Sequence, residues 1–260
     1  MIPIYSIAKP YLASTVLELG LPLDAPIGDL VPGLAATYAT RKVGALLNHT
    51  SGLDDYSRLP EYHRAIADNE TAWSRAELFG RCEALPHQNP GFQYSNIGYL
   101  LLRMAVENHT STSMYQAISS HILEPLGITQ TAEWETTTDL VPNYDPRWVY
   151  SGTFLSDPSA IASNLAKLVA YRSQNQSLSL GISPVPHQNT GFDHPGYGCG
   201  FMCDGGQDGQ QPRWVGHGGG GPGFSLMALV NTSNWHAGVE WSTEPGFDQT
   251  QAILKLRAVT

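Results

Sequence analysis

Apolar residues recur at helical spacing near the start of the chain, where Ile7, Ala8, Tyr11, Leu12, Val16 and Leu19 share one stripe. The pattern predicts a helix over about 6–19, with Pro10 near its first turn and Gly20 and Pro22 closing it. Residues 21–34, rich in Pro, Gly and Asp, read as an irregular connection. Further helices are predicted at about 41–48, from a Ser74/Glu77 capping box to about Ala84, over about 96–107, and near 113–123 and 159–173. Pro90 and Gly91 mark a turn. After Pro184 glycine becomes dense, and 213–216, 224–230 and 235–242 read as strands. The last alternates cleanly, with Trp235, Ala237, Val239 and Trp241 on one face and His236, Gly238 and Glu240 on the other. A closing helix at about 249–257 offers Ala252, Ile253 and Leu256 to that sheet.

Composition narrows the class. A chain of 260 residues can form one large domain or a two-lobed one, and 42% hydrophobic with 14% charged residues fits a folded globular protein. The net charge of -9 argues against nucleic acid or an anionic membrane surface as partner, and no apolar run reaches the roughly 18 residues of a membrane span. Cys82, Cys199 and Cys203 form an odd set with no disulfide framework; Cys199 and Cys203 are expected to be free rather than paired. The first five residues lack the pattern of a signal peptide, which leaves the compartment open. Sequons at Asn48, Asn69, Asn108, Asn175 and Asn231 read as a by-product of a Ser/Thr-rich composition.

Three segments carry candidate chemistry. Ser6 and Lys9 stand three apart, so a helix stacks them on one face, where an amine can take the proton of the hydroxyl. The helix N-terminus would also favour negative charge developing at Ser6, and a desolvated lysine can lose enough basicity to act as a base. Tyr94 leads directly into a helix, with Asn96 two residues on, so a phenol could face the same cleft. His217 followed by Gly218, Gly219, Gly220 and Gly221 lets a strand edge approach a substrate and offers free backbone N–H groups. Each segment has a plainer reading. Ser6 and Asn96 can be N-caps, Lys9 a solvated residue and Tyr94 a core aromatic. Residues 216–221 also fit G-x-G-x-x-G, but a strand follows rather than a helix, so dinucleotide binding fails its context. His217 has no second ligand beside it for a metal. His49 reads as a hydrogen-bonded structural residue, and Asp54 and Asp55 as a loop pair.

Taken in order, Ser6-x-x-Lys9, Tyr94-Ser95-Asn96 and His217-Gly218-Gly219 resemble the three signatures of the serine β-lactamase-like and penicillin-binding-protein superfamily. The similarity is to its branch of class C β-lactamases, DD-peptidases, D-aminopeptidases and esterases. His49-Thr50-Ser51-Gly52-Leu53, the run from Tyr94 to Leu100 and Pro125-Leu126-Gly127 also look like segments of that branch. The resemblance implies an α+β fold in a single domain spanning 1–260. A mainly helical lobe (about 20–190) would meet a small antiparallel sheet flanked by helices (about 196–260), with the 6–19 helix at the interface. It implies an acyl-enzyme on Ser6, with Lys9 and Tyr94 moving its proton and Asn96 orienting substrate and holding the Lys9 amine. The N–H groups of Ser6 and Gly220 would form the oxyanion hole. No cofactor or metal is implied, and the expected partner is a small-molecule, short-peptide or ester substrate. The non-catalytic alternative is a binding homologue or an inactive truncated one.

Two departures qualify the resemblance. His217 stands where β-lactamases carry a lysine or arginine, which makes it a weaker carboxylate anchor and tilts the substrate toward peptides, amides or esters. Members of the superfamily also carry a helix and two strands before the serine, where this chain has five residues. That would leave the 235–242 strand as an exposed edge prone to self-association. A piece of a longer protein, a sheet completed by another chain and a fold tolerating a short sheet compete as explanations, and the first is the expectation.

Overall fold

The computed structural model describes residues 1–87, 91–136, 141–175, 178–186 and 190–259. Pro90 of the expected turn lies outside these residues, while Gly91 has φ +86°. The strands are β1 (Ile2–Pro3), β2 (Thr131–Ala132), β3 (Leu155–Ser156), β4 (Ser183–Pro184), β5 (Pro195–Gly198), β6 (Phe201–Asp204), β7 (Trp214–Gly221), β8 (Phe224–Asn231) and β9 (Ala237–Ser242). The helices are α1 (Ala8–Glu18), α2 (Ala36–Ala39), α3 (Val43–Leu47), α4 (Pro60–Ala67), α5 (Arg75–Cys82), α6 (Asn96–Thr110), α7 (Met114–Ile118), α8 (Ile161–Asn175) and α9 (Gln249–Val259). The architecture is α+β.

The expected first helix divides. Tyr5–Ile7 is a 3-10 turn, and α1 begins only at Ala8. Tyr5 takes φ +46°, a left-handed conformation that costs energy for a residue with a Cβ and lies immediately before Ser6. The one-sided stripe is also corrected, because α1 is buried all round from Ala8 to Val16. Its polar residues tolerate this by bonding locally: the Ser14 hydroxyl donates to the Pro10 carbonyl and the Thr15 hydroxyl to the Tyr11 carbonyl. Pro10, in the first turn, forfeits no intrahelical bond.

The main sheet is antiparallel with order β4-β5-β6-β7-β8-β9, twice as many strands as the sequence pattern predicts. β5 and β6 form an unforeseen hairpin turning through Cys199 and Gly200, both at positive φ. β8 shows how the sheet is held. Leu226, Ala228 and Val230 join the main core, which also contains α1 and α8 residues, while Met227 and Leu229 pack with Ala252, Ile253 and Leu256 of α9. The sheet therefore lies between α8 and α9. β9 is the last strand of the described sheet and starts at Ala237, two residues later than expected; Trp241 within it is 44% exposed, and Trp235 before it, at φ +63°, is 43% exposed. The three cysteines are buried and free.

One register detail positions the site. β6 pairs with β7 only as far as Gly216, so from His217 onward that edge of β7 is left for the Tyr5–Ile7 turn. The approach is close enough to require glycine. A Cβ on Gly219 would lie 2.4 Å from the Ile4 carbonyl oxygen, and one on Gly221 would strike the Tyr5 ring.

Candidate active site

Ser6, Lys9, Tyr94 and Asn96 meet beside that open edge. Lys9 Nζ donates to Ser6 Oγ at 2.8 Å, to Asn96 Oδ1 at 2.7 Å and to Ser151 Oγ at 3.4 Å, so all three ammonium hydrogens have acceptors. The Tyr94 hydroxyl donates to Ser6 Oγ at 3.1 Å. Lys9 is 1% exposed, and its ammonium lies over the rings of Tyr94 and Tyr99 at 5.1 and 5.4 Å.

Neither capping role survives for the two candidates. Ser6 sits inside the 3-10 turn and Ile7 caps α1, so the expected helix N-terminus lies two residues beyond the serine. Ser95 caps α6, accepting from the Gly98 N–H, which leaves the Asn96 side chain free for Lys9. Spacing alone delivers the Ser6–Lys9 contact, because a 3-10 turn running into a helix still places residues three apart on one face.

Burial sets the charges. Desolvation lowers the Lys9 pKa from its ordinary value to about 7, against the opposing pull of the Asp55 carboxylate. Desolvation also raises the Tyr94 phenol above its usual range, although the bond to Ser6 works the other way. At neutral pH the group able to release and take up a proton is thus the amine, with the phenol protonated.

Asp55, read from sequence as a loop residue, is part of this cluster. Its Oδ2 accepts from the Asn96 backbone N–H at 2.6 Å and from Asn96 Nδ2 at 3.0 Å, and its Oδ1 accepts from the Ser57 N–H. Asn96 is thereby held with Oδ1 toward Lys9. Ser151 and Tyr197 also went unrecognised, and no local motif marks either one.

His49 is buried and hydrogen-bonded within the protein. Its Nδ1 accepts from the Ser95 N–H, its carbonyl from the Gln93 N–H, and its ring packs against Tyr94, Tyr99 and Tyr197. Burial, then Lys9 and His217, push its pKa well below the usual value, so it is neutral. His217 departs from its expected role as an anchor. Nδ1 donates to the Gly218 carbonyl, so Nε2 accepts from the Tyr197 hydroxyl at 3.1 Å. Both ring nitrogens are used inside the protein. Burial, with Lys9 adding to it, pushes its pKa down to about 3. Gly218 and Gly219 are buried along β7, whereas Gly220 is exposed where the edge reaches the cleft.

A serine in contact with an amine and a phenol, at the seam between helices and the edge of an antiparallel sheet, defines the serine β-lactamase and penicillin-binding-protein superfamily. Residues 1–258 match the family described as Beta-lactamase, and the chain belongs to that family. Its sequence is 25% identical to Penicillin-binding protein 4* of Bacillus subtilis (strain 168), over 96% of this chain but 62% of that protein. The chain therefore spans less than two thirds of that relative's length. The fold is similar to D-amino acid amidase from Ochrobactrum anthropi SV3 complexed with D-phenylalanine (TM-score 0.73, 22% identity, 99% of this chain and 91% of that one). It is also similar to the octameric penicillin-binding protein homologue from Pyrococcus abyssi (TM-score 0.69, 22% identity, 99% and 65%).

Proposed function

We propose that this chain is a serine hydrolase that cleaves an amide, peptide or ester bond through an acyl-enzyme on Ser6. The observation that carries the reading is the mutual contact of Ser6, Lys9 and Tyr94, with Lys9 shifted to about 7. A neutral Lys9 amine accepts the Ser6 proton as Oγ attacks the carbonyl carbon. The N–H groups of Ser6 and Gly220 receive the developing oxyanion, each such donor being worth roughly 3 kcal/mol of barrier. The bond to the leaving atom then breaks, and the proton passes from Lys9 through Tyr94 to that atom. Water attacks the ester on Ser6, loses its proton to the same pair, and Oγ takes a proton back.

The subtype is D-aminopeptidase- or esterase-like, and the DD-carboxypeptidase-like reading gives way together with an efficient β-lactamase, because His217 offers no charge where a carboxylate would be held. A fluorophosphonate probe tests the nucleophile: the folded protein should label, and Ser6→Ala, folded by circular dichroism, should not. Equal labelling of both would place the nucleophile elsewhere, and no labelling of the folded protein would leave a binding homologue.

A further inference from the structure

Two cavities meet at Ser6 and share Gly220. The larger, about 440 Å³, has Tyr94 in its wall and is otherwise dominated by Phe92, Val185, Phe192, Met202, Leu226 and Phe247. The smaller, about 280 Å³, contains Asn96 and Ser151 and is ringed by Tyr5, Tyr56, Tyr62 and Tyr144. Tyr94 opens only on the larger one. If the leaving atom is protonated through Tyr94, as the proposed mechanism requires, the leaving group extends into the larger cavity and the acyl group passes Asn96 into the smaller.

Among the described residues the larger cavity has no cationic side chain to hold an anion. No lysine or arginine lines either cavity, and none of the chain's 14 lysines and arginines falls among the undescribed residues. Lys9 lines neither one, and its hydrogens are already committed to Ser6, Asn96 and Ser151. His217 has both nitrogens occupied, by the Gly218 carbonyl and the Tyr197 hydroxyl. What the described lining offers a ligand is neutral, chiefly the Thr190 and Ser225 hydroxyls and the Gln249 amide. A carboxylate placed there would lose its water without gaining a counter-charge, in a chain of net charge -9 that already repels it.

We infer that the substrate's leaving group is uncharged and apolar, and that the site discriminates against leaving groups bearing a carboxylate. This rests on the acyl-enzyme reading above and adds the substrate class. The substrates that fit are esters or amides of neutral alcohols, phenols or amines, not peptides ending in a free carboxylate.

The test is a matched pair of acetate esters, of phenol and of 3-hydroxybenzoate, whose leaving groups are similar in basicity and differ in charge. The phenyl ester is expected to have kcat/KM at least about tenfold higher, about 1.4 kcal/mol. Equal or faster turnover of the carboxylated ester overturns the inference. Fluorophosphonate labelling on Ser6 reports the nucleophile separately, so labelling without turnover of the phenyl ester overturns the leaving-group assignment alone, and no labelling overturns both. A second variant, Gln249→Arg, places a guanidinium in the larger cavity from an exposed position. It should raise the carboxylated-to-neutral ratio at least about tenfold. An unmoved ratio would mean that the missing cation does not set the preference.

Discussion

Replacing Asp55 by asparagine keeps the side chain's size and removes its charge, and it separates two effects of this residue on the proposed base. Three N–H groups converge on the carboxylate: two from Asn96, at 2.6 and 3.0 Å, and that of Ser57 at 2.8 Å. In Asp55→Asn one of the two terminal atoms becomes a donor, so at least one of those groups loses its acceptor. A hydrogen bond to a charged group contributes roughly 1.5–3 kcal/mol. If Asn96 turns and Lys9 loses its Oδ1 partner, that loss translates into a fall in kcat/KM of about ten- to a hundredfold. The second effect is on charge. Burial lowers the Lys9 pKa to about 7 while Asp55 works to raise it, so without the carboxylate the amine binds its proton less tightly. The acid limb of kcat/KM should therefore move to lower pH, and the deficit should be smaller at about pH 5.5 than at about pH 9. Initial rates on a neutral ester across that range, with circular dichroism to confirm folding, read both effects. A variant within about twofold of the parent at every pH, with its acid limb unmoved, would refute the claim that Asp55 orients Asn96 and tunes Lys9.

Three other outcomes are expected. On the proposed mechanism the working form of Lys9 is the neutral amine, so kcat/KM should be lost as pH falls through about 7; a limb centred well below about pH 5 would point to another base. Gly219→Ala would put a methyl group 2.4 Å from the Ile4 carbonyl oxygen, forcing the Ser6 turn and β7 apart by about 1 Å. A loss of about a hundredfold is expected, against no loss for Gly80→Ala in α5, whose added Cβ meets nothing within 4 Å. If the Gly219 variant keeps its activity, the oxyanion edge is not where the mechanism puts it. The exposed β9 edge predicts concentration-dependent self-association by sedimentation, weakened in Trp241→Lys; a parent that stays monomeric at about 100 μM would rule that edge out as an interface.

The parts of the site that could be read from sequence are those carried by short-range spacing. Ser6 and Lys9 meet because three residues make one turn, whether that turn is 3-10 or α, so misplacing the helix start by two residues did no harm to the pairing. Tyr94 and Asn96 are legible as a segment, and their arrival 88 and 87 residues away at Ser6 and Lys9 rests on the family resemblance, not on any local signal. Asp55 shows the limit. Its identity was visible, but its role depends on a bond to Asn96 across 41 residues, which spacing does not encode. The hairpin of β5 and β6 was invisible for a different reason. Gly196 and Gly198 erase the alternation, and Cys199 at φ +42° is not a residue whose chemistry announces a turn. His217 is the most instructive case, because the sequence places it at the start of the glycine run but does not reveal the partners of its ring nitrogens. A histidine beside a glycine strand can be cationic or neutral, donor or acceptor, and the choice is made by Tyr197 and the Gly218 carbonyl, which consume both nitrogens. A motif thus specifies which atoms stand near the reacting centre. Burial and the long-range partners of those atoms decide which carry charge, and hence which substrates the site can accept.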